Sequence, residues 1–305
     1  MRIPDLLVER NKMQKSIFTW KIAFLIAVAI LIISYFSNSI GTSSIGTPQN
    51  IIASIRIEET ITEDSKFEKM LEEIADDNAI KALLVNINSP GGISGAAEKI
   101  YHKLSIIKSK KPVVVLMGSV AASGGYMVAL ASNKIYALNS TITGSIGVIM
   151  QYPELVELAN KAGIKFMSFR SGEYKALPNP MEPITDNAKQ ALMKVMNDTH
   201  QYFVKIVSDN RNIKLEDAEK IADGRVFTGR QALENKLIDE IGTSDNAISW
   251  LKEQKLVSSD AIVKPIRPRR TQDLLEFFTR GIDSAVKSSA DYLMNKISNS
   301  QYEIK

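Results

Sequence analysis

Cysteine is absent from the 305-residue sequence, and histidine occurs only at His102 and His200. The missing cysteines exclude disulfides, a thiol nucleophile, iron–sulfur clusters and cysteine-ligated zinc. Two histidines are too few for a histidine-rich metal site, and a serine–histidine pair would have to use one of them. We therefore expect no metal and no cofactor. Hydrophobic residues make up 45% of the chain and charged residues 24%, which is typical of a folded globular protein.

Acidic residues nearly balance the basic ones, but the two signs are distributed unevenly along the chain. The formal net charge is +4. Residues 1–21 hold five basic and two acidic side chains, and residues 264–305 hold eight and five, so each end contributes +3. The stretch between them, 22–263, therefore carries −2. Nucleic-acid-binding domains are typically basic, and we therefore expect no nucleic-acid partner.

An apolar run of 20 residues, 17–36, follows the basic N-terminal stretch 1–16. At 1.5 Å per residue it would form a helix of about 30 Å, which matches the hydrocarbon core of a bilayer. We interpret it as an uncleaved transmembrane signal anchor, with the basic residues on the cytoplasmic side. A cleaved signal peptide is the alternative, although no A-x-A cleavage site follows. Residues 37–49, rich in Gly, Ser and Thr, indicate a linker.

Strand-like and helix-like segments alternate from residue 50 to about residue 255. Short apolar runs predict buried strands, and apolar residues at helical spacing predict helices. The predicted strands are Asn50–Ile57, Ala82–Ile87, Pro112–Met117, Lys134–Leu138 and Ile164–Phe169, and the predicted helices are Lys66–Asp76, Ser94–Lys108, Ser123–Ser132, Glu154–Ala162 and Thr185–Arg211. The alternation predicts one α/β domain, 50–255, with a mainly parallel sheet. Residues 256–305 are expected to form a basic, amphipathic helical tail that packs on its own domain, on a neighbouring subunit or on anionic lipid.

Two segments rich in Gly and Ser follow predicted buried strands. Asn88–Gly92 comes directly after one strand, and Ala121–Tyr126 lies between the next strand and a helix. Functional sites of open α/β sheets collect at the carboxyl ends of strands, and glycine lets the backbone approach a ligand closely. Ser123, at the predicted start of a helix, is therefore a candidate nucleophile. The alternative is that both segments are tight turns that need small residues for packing.

A serine nucleophile needs a base, and the sequence offers three candidates. His102 and His200 both fall within predicted helices and have no local motif, so they are interpreted as ordinary surface or half-buried residues. Lys175 closes the segment Ser171–Lys175, which follows a predicted strand. A lysine accepts a proton only when it is neutral, so a lysine base requires an environment that disfavours the charged amine. Considered alone, Lys175 is interpreted as an ordinary surface lysine.

The order and spacing of the motifs resemble one family. The motifs are Asn88–Gly92, Ala121–Tyr126, Gly144–Gly147, Ser171–Lys175, Asp223–Gly229 and Leu237–Gly242. Together they resemble the signal peptide peptidase A (SppA, protease IV) family in its short, single-repeat bacterial form. The resemblance covers about residues 50–255 and the N-terminal anchor. It implies a Clp protease/crotonase-like fold, an α/β superhelix of ββα units. The residue patterns described above add an N-terminal transmembrane helix and a C-terminal amphipathic tail to this fold.

The resemblance also implies roles for five residues. Ser123 matches the family's nucleophile, and Lys175 matches its general base. Ser145 matches a serine that orients the lysine. The amides of Gly92 and Gly124 match the oxyanion hole. Clp proteases instead use a histidine shortly after the serine, and the absence of histidine from residues 141–152 favours the Ser–Lys dyad.

The implied activity is that of a membrane-anchored serine endopeptidase that degrades remnant signal peptides. Its implied partners are unfolded apolar peptides, the membrane and further copies of itself, in a homo-oligomer with sites at subunit boundaries. Its implied location is the bacterial inner membrane, with a single pass and the peptidase domain on the periplasmic side. Three alternatives remain open: a Ser–Lys protease for one specific membrane protein, a catalytically silent assembly protein, and a crotonase-type acyl-CoA enzyme.

Overall fold

The computed structural model describes residues 50–268, together with seven helical residues between Trp20 and Leu31. Most of the predicted anchor, the linker at 37–49 and the tail beyond residue 268 lie outside the described residues. Within the described part of the chain, no helix is both long enough and apolar enough to cross a bilayer. The chain divides after Gln49 into two compact units, and the second unit carries all the motifs described above.

The unit that begins at Asn50 is a mixed α/β domain, which confirms the predicted class. Its strands are β1 (Ile51–Ile61), β2 (Ile80–Gly92), β3 (Val113–Ala122), β4 (Lys134–Ala137), β5 (Ile142–Gly144), β6 (Val226–Thr228), β7 (Glu240–Ile241) and β8 (Ile262–Pro265). Its helices are α1 (Ser65–Asp76), α2 (Ser94–Lys110), α3 (Gly124–Ala129), α4 (Val156–Lys161), α5 (Asp186–Arg211), α6 (Leu215–Ile221), α7 (Gly229–Glu234) and α8 (Ser244–Glu253).

The eight strands form one sheet with the order β6-β5-β3-β2-β1-β8, in which β4 also pairs with β3 and β7 pairs with β4. Among the described strands all pairs are parallel except β5 with β6. The first half of β3 pairs with β4 and its last three residues pair with β5. Because β1, β2, β3 and β5 run in the same direction, their carboxyl ends lie along one edge of the sheet.

Side chains of the central strands alternate between two buried faces, as expected for a sheet covered on both sides. In β2, Leu83, Val85 and Ile87 contribute to the larger core, beneath helices α1, α2 and α3. Ala82 and Leu84 point to the opposite face, where α8 covers them. The run of apolar residues in Ala82–Ile87 therefore belongs to a central strand, as the sequence predicted.

Two sequence predictions about strands are wrong. The segment Asn88–Gly92 was predicted to be a loop, but β2 continues through Gly92, because Thr60 and Ile61 of β1 pair with Gly91 and Gly92. The segment Ile164–Phe169 was predicted to be a strand, but it pairs with no described strand. Its apolar pattern fits a strand, yet a strand also needs a partner for its backbone, and a pattern within one segment cannot supply that partner.

Candidate active site

Ser123 lies at a sharp turn between β3 and α3. Its backbone has φ of 52° and ψ of −123°, a conformation that costs a non-glycine residue about 1–3 kcal/mol. Two hydrogen bonds hold the turn: the Ser123 N–H donates to the Gly144 carbonyl at 2.8 Å, and the Met127 N–H donates to the Ser123 carbonyl at 2.9 Å. A strained strand-to-helix turn of this kind presents a nucleophile at the top of the sheet in α/β-hydrolases. Ser123 is thus presented at the edge of the sheet, half-buried.

The glycine-rich end of β2 packs directly against this turn. A Cβ atom at Gly91, whose φ is +105°, would come within 2.8 Å of both the Gly124 nitrogen and the Ser123 Cβ. A Cβ atom at Gly124 would lie 3.4 Å from the Gly92 nitrogen. Only glycine lets the two backbones come this close. The structure therefore brings the backbones of Gly92 and Gly124 together beside Ser123.

Ser145 follows β5 just as Ser123 follows β3. In the parallel pairing of these strands, Ala122 is opposite Gly144, so the two serines come one residue beyond paired positions. Neighbouring strands are about 4.8 Å apart, which places the backbones of Ser123 and Ser145 side by side. Like Ser123, Ser145 has a positive φ, of 49°.

The motif Asp223–Gly229 packs against the turn that carries Ser145 and forms backbone hydrogen bonds with it. The Ser145 N–H donates to the Arg225 carbonyl at 2.8 Å, and the Gly224 N–H donates to the Ile146 carbonyl at 3.1 Å. A Cβ atom at Gly144 would lie 2.6 Å from the Phe227 ring. The Arg225 guanidinium beside Asp223 lowers the pKa of that carboxyl to about 2. The contacts of the motif thus stabilise the turn that carries Ser145.

A narrow cleft opens at Ser123. Its walls come from β2, α2, α3, the segment after β5 and helix α5, through Gly92, Ser94, Ser123, Gly124, Met127, Gly147, Val148, Thr199 and Phe203. Sequence reasoning missed Ser94, Met127, Val148, Thr199 and Phe203. The only sequence signal for the last two is their four-residue spacing, which places them on one face of α5.

An apolar groove of about 250 Å³ is lined by two of the elements that also line the cleft, namely the segment after β5 and helix α5. It is lined by Met150, Tyr152, Ile184, Lys189, Leu192, Met193 and Met196. Met150 and Tyr152 follow Val148 of the cleft, and Leu192 and Met196 share the face of α5 that carries Thr199 and Phe203. From Phe203 to Leu192 is a distance of about 16 Å along the helix axis. Because flexible methionine side chains adapt to different apolar shapes, this groove suits an extended apolar peptide.

Lys175 lies in an exposed turn, residues 173–176, and is not among the residues that line the Ser123 cleft. The structure thus brings Ser123, Ser145, Gly92 and Gly124 together within one chain, but it does not place Lys175 at the same cleft. The histidines do not replace it. The Nε2 atom of His200 is 2.7 Å from the Ala222 carbonyl, and that of His102 is 3.5 Å from Glu98. Both therefore have structural partners away from the cleft.

Two family models match the sequence. The model of peptidase family S49 matches residues 105–258, and the model of Clp protease matches residues 47–143. The S49 match contains Ser123, Ser145 and Lys175, whereas the Clp match ends before Ser145.

Within the residues that the structure describes, no group of three or more His, Asp and Glu side chains could hold a metal ion.

Several curated proteins are similar to this chain. A candidate protease of Methanocaldococcus jannaschii, MJ0651, is 37% identical over 195 residues, which are 64% of this chain and 63% of that protein. A candidate protease of Synechocystis sp., slr0021, is 36% identical over 70% of this chain and 76% of its own length. Protease 4 of Haemophilus influenzae is 32% identical over 68% of this chain but only 35% of its own length. The chain thus spans less than two thirds of some of these relatives.

Solved structures are also similar to this chain at low sequence identity. A serine-to-alanine mutant of the 1510-N membrane-bound stomatin-specific protease is 18% identical, with a TM-score of 0.49, and the match covers 72% of this chain and 99% of that chain. A mutant of ClpP1 from Listeria monocytogenes is 16% identical, with a TM-score of 0.39, over 64% of this chain and 94% of that chain.

Proposed function

The chain belongs to peptidase family S49, and from this membership we propose that it is a serine endopeptidase with Ser123 as nucleophile and Lys175 as general base. One observation carries the proposal: Ser123 is held in a strained turn, in the wall of a cleft, close to the backbone of Gly92 and Gly124. Strained backbone conformations cluster at active sites, and a strained strand-to-helix turn exposes the nucleophile at the top of the sheet in α/β-hydrolases.

The proposed mechanism is acyl transfer to Ser123. The neutral amine of Lys175 accepts the proton of the Ser123 hydroxyl as the oxygen bonds to the carbonyl carbon of the peptide. The Gly92 and Gly124 amides donate hydrogen bonds to the oxyanion, each worth about 3 kcal/mol. The lysine ammonium then returns the proton to the leaving amine as the C–N bond breaks. Water, activated by the same lysine, hydrolyses the acyl-enzyme, and the Ser145 hydroxyl accepts a hydrogen bond from the amine to orient it.

The proposed site is completed by a second copy of the chain. Lys175 lies in an exposed turn, and the segment before it presents large apolar side chains to solvent: Met167 is 82% exposed and Phe169 is 95% exposed. Soluble proteins seldom leave such side chains clustered and uncovered. In the proposed homo-oligomer a neighbouring subunit covers this segment, and Lys175 of one subunit reaches Ser123 of the next. Sites at subunit boundaries would also exclude folded substrates.

The proposed substrates are unfolded apolar peptides, with remnant signal peptides as the physiological class. The apolar walls of the Ser123 cleft and the methionine-rich groove beside it support this choice. The proposal includes a single-pass anchor at residues 17–36, with the peptidase domain on the periplasmic side of the bacterial inner membrane. An enzyme tethered there would meet signal peptides as they are released from preproteins.

A peptide series tests the substrate class. We expect the full-length protein in detergent micelles to cleave a fluorogenic peptide with apolar residues before the scissile bond, and to cleave an aspartate-substituted version at least about tenfold more slowly. Met193→Asp should lower kcat/KM for the apolar peptide by about tenfold, because it places a charge in the groove. The matched control is Val195→Asp, on the same helix but outside the groove. If a deletion strain accumulated one intact membrane protein and no signal-peptide fragments, the specific-protease alternative would be correct.

The pH dependence tests the lysine. Because Lys175 acts only when neutral, kcat/KM should rise as the pH increases from 6 towards 10. The lower kcat/KM expected at pH 6 cannot be caused by loss of the Asp223–Arg225 ion pair, because the pKa of Asp223 is lowered to about 2. A depressed carboxyl pKa stabilises the fold above its unfolded value of 3.8 and ceases to do so only as the pH falls towards 2. A maximum of kcat/KM below pH 6 would instead indicate a carboxylate base.

A further inference from the structure

The tip of the loop that carries Lys175 is exposed and is held only by local hydrogen bonds. All six residues from 171 to 176 are exposed. The hydrogen bonds at the tip are local: the Lys175 N–H donates to the Gly172 carbonyl at 3.1 Å, and the Leu177 N–H donates to the Tyr174 carbonyl at 3.4 Å. A loop without packing at its tip is positioned by whatever fixes its ends. Within one subunit, the ends of this loop therefore decide where the lysine amine can be.

An ion pair closes the loop at its base. The Arg170 guanidinium contacts the Glu182 carboxylate, so that residues 171–181 form a closed loop between the two. Both side chains are well shielded from solvent, with 17% of Arg170 and 27% of Glu182 exposed. Most other ion pairs among the described residues have at least one partner that is about half exposed or more. A shielded pair is screened less by salt and holds its geometry better than an exposed one.

Further contacts converge on the same base. A hydrogen bond from the Ser168 hydroxyl, together with the Arg170 guanidinium, keeps the pKa of Glu182 below its ordinary value. The Glu182 N–H donates to the Asn179 carbonyl at 3.2 Å, and the Pro180 carbonyl accepts from the Leu155 N–H at 2.7 Å. Ser168 and Arg170 are two residues apart, and both interact with the Glu182 carboxylate. Glu182 thus joins the segment before the loop to the segment after it.

We propose that Ser168, Arg170 and Glu182 form a loop clamp that positions the amine of Lys175 for proton transfer with Ser123. The inference rests on the proposed function, because it assigns the clamp a purpose only if Lys175 is the base. The clamp residues touch neither the substrate nor the reacting atoms. They act through Lys175 and are positioning residues. Because the pKa of Glu182 is lowered, its carboxylate is ionised at neutral pH and can pair with the Arg170 guanidinium.

The test is a charge reversal across the clamp. Glu182→Gln and Arg170→Gln should each lower kcat for an apolar fluorogenic peptide by about tenfold or more, since small displacements of a catalytic group are costly. KM should change by less than about twofold, because the cleft and groove remain intact. The double variant Arg170→Glu with Glu182→Arg should recover at least half of the lost activity on a logarithmic scale. Lys103→Gln, which breaks a partly shielded ion pair between α1 and α2, is the control and should leave kcat unchanged.

The outcomes separate the clamp from the proposed function and from simple stability. If Lys175→Ala is inactive and Glu182→Gln retains wild-type kcat, the clamp is wrong and the dyad stands. If Lys175→Ala retains wild-type kcat, the proposed base is wrong and the clamp has no lysine to position. Two further outcomes would overturn the proposal and show that the clamp is only structural. In the first, the single clamp variants lose activity only in proportion to the loss of folded protein in thermal melts. In the second, the charge reversal recovers no activity although its melting temperature is unchanged.

Discussion

Replacement of Ser123 by alanine should lower kcat/KM for an apolar peptide by about 10⁴-fold or more, because no other hydroxyl can take over the attack on the carbonyl. Lys175→Ala should cause a loss of similar size, since the serine hydroxyl is a weak nucleophile until a base accepts its proton. The two effects should not add in the double variant, because the dyad acts as a unit. The measurement is steady-state hydrolysis of the fluorogenic peptide by full-length protein in detergent.

Matched controls make this result specific. Ser105→Ala removes a hydroxyl from α2 away from the cleft, and Lys161→Ala removes an amine at the end of α4. Both should retain wild-type kcat/KM within about twofold. Full activity in Ser123→Ala or in Lys175→Ala would overturn the dyad. A wild-type protein without hydrolytic activity, yet folded and assembled, would support the silent assembly protein, and binding of a CoA thioester would revive the acyl-CoA enzyme.

Mixing two inactive variants should restore activity. If the Ser123 of one subunit is served by the Lys175 of its neighbour, co-assembly of Ser123→Ala with Lys175→Ala leaves some boundaries with both native residues. In a randomly mixed homo-oligomer with equal amounts of each variant, about one quarter of the boundaries are complete, so we expect about a quarter of the wild-type rate. The variants should be co-expressed with different affinity tags, and the doubly purified oligomer assayed.

The recovery experiment has two informative contrary outcomes. No recovery in a verified mixed oligomer would mean that Lys175 serves the Ser123 of its own chain, through a rearrangement of residues 171–181. A protein that remains monomeric in detergent, as measured by light scattering, and is nevertheless active would exclude shared sites altogether. Phe169→Asp offers an independent check, because a charge at this 95% exposed side chain should weaken the assembly without disturbing the monomer.

The central strands show how far a local pattern can predict structure. Ala82–Ile87 is a short apolar run that lies within the buried parallel strand β2. Pro112–Met117 is another, and all of it except Pro112 lies within β3. Their sequences required burial on both faces, which only a central strand provides. Ile164–Phe169 has the same apolar character but remains without a strand partner among the described residues. Burial can be predicted from composition, but backbone pairing depends on what lies next to the segment in space.

Around the site, too, some residues could be predicted from local sequence patterns and others could not. The Gly-rich motifs, their order and the serine between them are visible in the sequence, and they were sufficient to indicate the family and to name Ser123. The cleft residues Thr199 and Phe203 were not predicted, because they lie about 80 residues further along the chain and join the site only when α5 packs beside α3. The clamp between Arg170 and Glu182 was also invisible, because two opposite charges 12 residues apart have no distinctive spacing.

The sequence by itself restricted the chemistry that is possible: the absence of cysteine excludes a thiol nucleophile, and the two histidines, which have no local motif, are weak candidates for a general base. It also determined the α/β class, since alternating apolar strands and helices bury their surfaces in only a few ways. The tertiary structure alone decided the geometry. Parallel pairing of β3 with β5 places Ser123 beside Ser145, and the approach of β2 brings Gly92 to Gly124. The same structure leaves Lys175 in an exposed turn, because contacts between distant segments, and not local pattern, determine where a loop lies.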